Sequence, residues 1–228
     1  FFTLRPTLEH WRIVISSKLP TLVNSFVVAT VSTTVALGVG SLSGYAFARY
    51  RVGGSSLPFW ILSIRFLPAI VAAIPFFLLM NYLRLIDTLV GLIIPHLTIT
   101  IPFTVWMMRG FIRDVPRELE ESAMIDGCSS IGVLWKITLP IIAPGMVVTA
   151  LFCFVWSWND FLWPLVVISS DEMKTLPIGL ASFATLHYGT DWPLLMTCAA
   201  LAVLPVIVFF LFNQRFMIRG VTLTGLKF

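Results

Sequence analysis

Charge is what this sequence has least of. Asp, Glu, Lys and Arg together make up 11% of its 228 residues, where a soluble domain carries about 25%. So little polar surface cannot cover a water-soluble globule, and the membrane class follows. Cysteine is scarce too: Cys128, Cys153 and Cys198 lie far apart, two of them in apolar runs, so no disulfide is expected. His10, His96 and His187 are scattered, and no Cys or His stands at metal-ligand spacing, so no metal site is expected. A basic start followed by a short apolar core and a cleavage site is missing, so no signal peptide is expected. The glycines of "RVGGSS" (51–56) lack the G-x-x-x-x-G-K-[ST] pattern, so they read as a tight turn and not a phosphate loop. ATP hydrolysis by this chain, and with it a bound nucleotide or magnesium, is not expected. No internal repeat or low-complexity linker is present, and the net charge of +4 is modest, with no nucleic-acid partner expected.

What the chain does have is apolar length. Mean hydropathy is +0.94, and five runs reach the roughly 20 residues that a helix needs to cross the hydrocarbon core. They span about 22–47, 57–82, 88–108, 141–168 and 194–212. Without strict alternation they read as helices, so the fold class is an all-α polytopic bundle in a single membrane domain, 1–228. Pro68, Pro75, Pro95, Pro102 and Pro205 are expected to kink these helices.

Basic residues orient the bundle. Arg49, Arg51, Arg109, Arg113, Arg117, Lys136, Arg215, Arg219 and Lys227 fall in one set of connections. Arg5, Arg12, Lys18, Arg84 and Lys174 fall in the other. The richer set is assigned to the cytoplasm, with the C-terminus and the connection 109–140. An external N-terminus without a signal implies a further helix before Phe1, and so a six-helix parent.

The connection 109–140 is the one charged stretch. Glu118, Glu120, Glu121 and Asp126 crowd together before Gly127. Asp114 is expected to cap a helix with Pro116 in its first turn, and the acids suit the positive end of its dipole. Ser122 and Ala123 are small and admit a close neighbour. Asp126-Gly127 ends the helix. A second short helix, 129–137, is expected to stop at Leu139-Pro140. Taken alone, this is equally a solvated loop.

The order of residues is more specific. Glu121-Ser122-Ala123-Met124-Ile125-Asp126-Gly127-Cys128, then Ile137-Thr138-Leu139-Pro140, resembles the signature loop of binding-protein-dependent ABC importer permeases, with Ser122 and Cys128 departing from its alanines. "WNDFLWPLVV", "KTLPIGLASF" and "QRFMIRGVTLTGLKF" look like further parts of the maltose-type carbohydrate-uptake branch. The resemblance implies a type I permease fold in a bacterial inner membrane. It implies a coupling helix (Glu121, Ser122, Ala123, Asp126, Gly127) docked on an ATPase subunit dimer that holds ATP and Mg. It also implies a second homologous permease, an extracytoplasmic solute-binding protein and alternating access.

In "WSWNDFLWP", Trp156, Asn159 and Asp160 are candidates for the substrate pathway. Aromatic faces and hydrogen-bonding groups suit a carbohydrate, and an intramembrane acid belongs in the bundle or a wet cavity. The alternative is an interfacial aromatic belt, to which Trp163 is assigned. Arg65 reads as snorkelling to the inner interface, or else as a gate ion pair. Met107, Met108, Phe76, Phe77, Phe209 and Phe210 read as packing. The long outer loop, about 169–193, is read as a binding-protein contact or a lid. An ion-coupled secondary transporter or a non-transport scaffold are the rival functions.

Overall fold

The computed structural model describes residues 8–50, 52–54, 56–185 and 189–225, with no account of the side chains of 184–190 and 215–225. Arg5, Arg51, His187 and Lys227 therefore lie outside the described residues. So do the side chains of Arg215 and Arg219.

The helices are α1 (Glu9–Arg49), α2 (Leu57–Ser63), α3 (Ala69–Tyr82), α4 (Leu89–Asp114), α5 (Arg117–Ile125), α6 (Ser130–Val133), α7 (Leu139–Asn159), α8 (Leu162–Val167), α9 (Leu176–Ala181) and α10 (Trp192–Gly225). A two-residue antiparallel ribbon joins Ala184–Thr185 to Gly189–Thr190. Among the described residues, four helices are long and apolar enough to cross a membrane by themselves: α1, α4, the run Ser130–Asn159 and the part Trp192–Gln214 of α10. A fifth crossing requires α2 and α3 together.

That pair is where the sequence reading needs its largest correction. The run 57–82 is not one kinked helix: Leu57–Phe66 and Ala69–Tyr82 meet at 93°. Pro68 disfavours helical backbone at the residue before it, and Leu67 is extended (ψ 126°). Pro75, by contrast, sits inside α3. The run 141–168 is also split. α7 stops at Asn159, Asp160 turns extended (ψ 130°), and its carboxylate accepts the Trp163 N–H at 3.0 Å at the start of α8.

Two elements are longer than their apolar runs. α1 begins at Glu9, not near Leu22, and runs through Pro20. Its extension is held by packing: Val14 is buried in a cluster with Leu176, Trp158 and Cys198. α10 likewise continues past Phe212. At the other end, the expected stop at Leu139-Pro140 does not occur. A π-turn over Leu134–Thr138 moves the Leu139 N–H onto the Leu134 carbonyl. Pro140 then falls in a first turn, where its missing N–H leaves no bond broken.

The bundle is centred on α1 against α4. Gly40 and Gly44 let the two backbones approach closely: a Cβ on Gly44 would lie 2.8 Å from the Met108 Cβ and 2.9 Å from the Arg109 nitrogen. Small residues at such a crossing are how membrane helices gain van der Waals contact. α7 closes the core, with Gly145 under the Phe111 ring. Met107, Met108, Phe76 and Phe209 pack inside as expected, whereas Phe77 and Phe210 are exposed.

Candidate functional site

The charged insert folds as a short helix pinned at three points. Arg49, at the end of α1, donates to both oxygens of Glu120 (2.7 and 3.0 Å) and to the Val115 carbonyl (2.9 Å). The Thr138 hydroxyl donates to Glu120 Oε1 at 2.8 Å. Glu120 is 3% exposed. One carboxylate thus joins the end of α1, the entry to α5 and the entry to α7. The paired fork geometry makes this a strong charge-assisted contact. Nothing in the sequence separates Glu120 from its acidic neighbours, because Arg49 is far away along the chain.

Asp114 does not cap α5, as the sequence suggested. It is the last residue of α4, and Pro116 occupies the position before Arg117. The C-terminal cap is as expected. Gly127 has φ +89°. Its N–H donates to the Met124 carbonyl, and the Cys128 N–H donates to the Ala123 carbonyl. This is the paired closing pattern of a Schellman cap. Ser129 then caps α6, its hydroxyl accepting the Gly132 N–H at 3.2 Å.

Of the coupling candidates, Glu121, Ser122, Asp126 and Gly127 are exposed, while Ala123 turns inward at 8% exposure. Its small size therefore serves packing within this chain. The sequence reading missed an apolar component of the same surface: Ile125 (86% exposed), Ile131, Trp135 and Met124 all face out. Exposed apolar groups rimmed by acids mark a protein contact.

The second cluster lies in the bundle. Asp160 faces inward, with Oδ2 3.1 Å from Nε2 of His96, which is fully buried. His96 was not singled out by sequence. The edge of its ring meets Trp156 at 5.5 Å between centroids. Trp156 also lines a cavity of about 260 Å³ with Arg65, Ile99, Thr100, Phe103, Phe152, Cys153 and Val155. Asn159 is not part of this group: it is exposed, and its amide donates to the Val155 carbonyl of its own helix. Trp163, assigned to an interfacial belt, is instead 1% exposed and packs on Phe76 at 4.9 Å. Arg65 is exposed at the edge of the same cavity. Its guanidinium lies 4.8 Å over the Phe103 ring.

At the end opposite the insert, Asn24 donates to the carbonyls of Glu172 and Lys174, and Ser25 accepts the Leu176 N–H. The first part of the outer loop, 172–176, is therefore tied to α1.

Residues 36–223 match the model of the binding-protein-dependent transport system inner membrane component. The chain belongs to this family. It is a transport component rather than an enzyme. Among curated relatives, it is 37% identical over 205 residues to the arabinooligosaccharides transport system permease protein AraQ of Halalkalibacterium halodurans, covering 90% of this chain and 72% of that one. It is 32% identical over 205 residues to the diacetylchitobiose uptake system permease protein DasC of Streptomyces coelicolor, covering 90% and 74%. In fold it is similar to a chain of a bacterial ABC transporter that imports the acidic polysaccharide alginate, with TM-score 0.75, 21% identity, and coverage of 95% of this chain and 83% of that one. A chain of the MetNI methionine ABC transporter gives TM-score 0.66 at 18% identity, covering 95% and 99%.

Proposed function

We infer that this chain is a permease subunit of an ATP-driven importer and forms half of a pathway for a carbohydrate. The observation that carries the coupling role is the pinned insert. Because Glu120 is bonded to the ends of α1 and α7 alike, force applied to the exposed face of α5 passes to two membrane helices rather than into a loose loop. Glu121, Asp126 and the apolar Ile125 and Met124 supply the contact, and the Gly127 turn fixes its angle. The occupant is one subunit of an ATPase dimer, which holds the ATP and Mg. The carbohydrate assignment rests on relatives named for arabinooligosaccharide and diacetylchitobiose transport. The chain acts as one transmembrane domain beside a second homologous permease. The insert and C-terminus lie in the cytoplasm, by the distribution of Lys and Arg. The loop 169–193 receives a solute-binding protein outside.

The test is site-directed cross-linking. With Cys128→Ser in the background, Ile125→Cys should cross-link to the ATPase subunit in the assembled complex, with a yield that changes on ATP binding. Ile141→Cys, exposed in this chain on the membrane side of the insert, should not. Equal cross-linking at both positions would remove the docking assignment.

A further inference from the structure

Among the described residues, Arg65 has no carboxylate partner: the ion pairs are Arg49–Glu120, His96–Asp160 and Lys174–Asp171. The acid in the bundle, Asp160, is already held by His96 and by the Trp163 N–H. An Arg side chain cannot shed its charge, and an unpaired cation among membrane helices is costly and marks a functional site. Its placement is specific. Arg65 sits in the one-turn 3₁₀ helix Ile64–Phe66, immediately before the 93° bend. That turn breaks the helix beside the cavity. The guanidinium rests on Phe103, and Phe152, Trp156 and Thr100 line the same space of about 260 Å³. Phe103 and Phe152 meet edge to face at 6.1 Å.

We propose that this cavity recognises an anionic group on the transported carbohydrate, with Arg65 binding the acid and Trp156 and Phe103 presenting rings to the sugar. The guanidinium is a planar fork that matches a carboxylate with two parallel hydrogen bonds. The other walls are largely apolar and offer the guanidinium no competing acid. A neutral sugar gives the fork no counter-charge. This inference rests on the carbohydrate-import reading above and adds the charge of the cargo.

The experiment uses the complete transporter, with its partner permease, ATPase and binding protein, in liposomes. Uptake and ATP hydrolysis are measured with oligosaccharides of glucuronic acid, with the same oligosaccharides as methyl esters, and with neutral glucose oligosaccharides. In the wild type, the acidic form should stimulate hydrolysis at a concentration about tenfold lower than its ester. That is the ratio expected when a charge-assisted hydrogen bond to a guanidinium fork is lost. Arg65→Gln should abolish the preference, and Arg65→Lys should keep part of it. Equal response of the wild type to acid and ester overturns the proposal, and this comparison needs no variant to fold. Arg65→Gln lowering assembly and all uptake equally also overturns it, since Arg65 would then pair with an acid of the second permease. Stimulation by neutral sugars alone refutes the anionic cargo and leaves import standing. No stimulation by any carbohydrate refutes both.

Discussion

Glu120 and Glu121 are adjacent in sequence and opposite in environment. Glu121 is exposed, while Glu120 is buried against Arg49 and Thr138. Removing one partner of such a pair leaves a buried charge uncompensated, at a cost of about 3–5 kcal/mol. Glu120→Ala should therefore lower the thermal stability of the detergent-purified complex markedly, and Glu121→Ala should leave it nearly unchanged. Equal melting temperatures for the two variants would mean that the pin carries no load. Gly127 gives the complementary case. A Cβ there meets nothing within 4 Å, so only the positive φ resists substitution. Gly127→Ala should cost about 1–2 kcal/mol and speed amide exchange at Cys128 without changing the core. These two residues show what a sequence makes legible. A glycine behind a short helix is a local signal, whereas the burial of Glu120 depends on Arg49, which comes near only in the fold. His96 went unread for the same reason: its partner Asp160 is distant along the chain.

At the scale of elements, apolar length located the four long helices but did not fix where helices stop. Pro68 ends a helix and Pro140 does not. The difference is the preceding backbone, extended at Leu67 and a π-turn before Leu139. The α1–α4 crossing depends on Gly44. Gly44→Leu should destabilise the purified chain by about 1–3 kcal/mol, whereas Gly38→Leu on the exposed face should be tolerated, since nothing lies within 4 Å of its added Cβ. Comparable losses for the two would contradict the packing described. The end opposite the insert has its own clasp. Asp87, in the left-handed region at φ +61°, accepts the N–H groups of Ser170 and Ser169. The Ser170 N–H, then the Ser169 N–H, hold its carboxyl below the usual carboxylate range. A depressed pKa contributes stability above the unfolded value of about 3.9. That stability fades as pH falls through the folded value. Asp87→Asn, which also tolerates a positive φ, should loosen the α3–α4 turn at neutral pH. Its exchange rates at Ser169 and Ser170 should converge with those of the wild type in acid. A difference that persists at the acid end would rule out the carboxylate as the cause.

For the molecule as a whole, the two ends of the bundle are built differently. One carries α5, pinned by a single carboxylate to α1 and α7, with acids and apolar side chains facing out. The other carries a loop stitched to α1 through Asn24 and Ser25. Between them lie the bent pair α2–α3, the cavity beside Arg65 and the buried His96–Asp160 contact. A docked motor at one end and a delivered solute at the other would then communicate through α1, which runs the full distance. The most direct test is sugar-stimulated ATP hydrolysis by the complete transporter in liposomes, comparing wild type with Gly127→Pro. Proline cannot adopt φ +89°, so the turn after α5 must change while the membrane core stays intact. The account predicts that stimulation by sugar collapses in this variant while the permease still assembles with its partner. Undiminished sugar-stimulated hydrolysis in the variant would contradict it, and the pinned helix would then not be the coupling element.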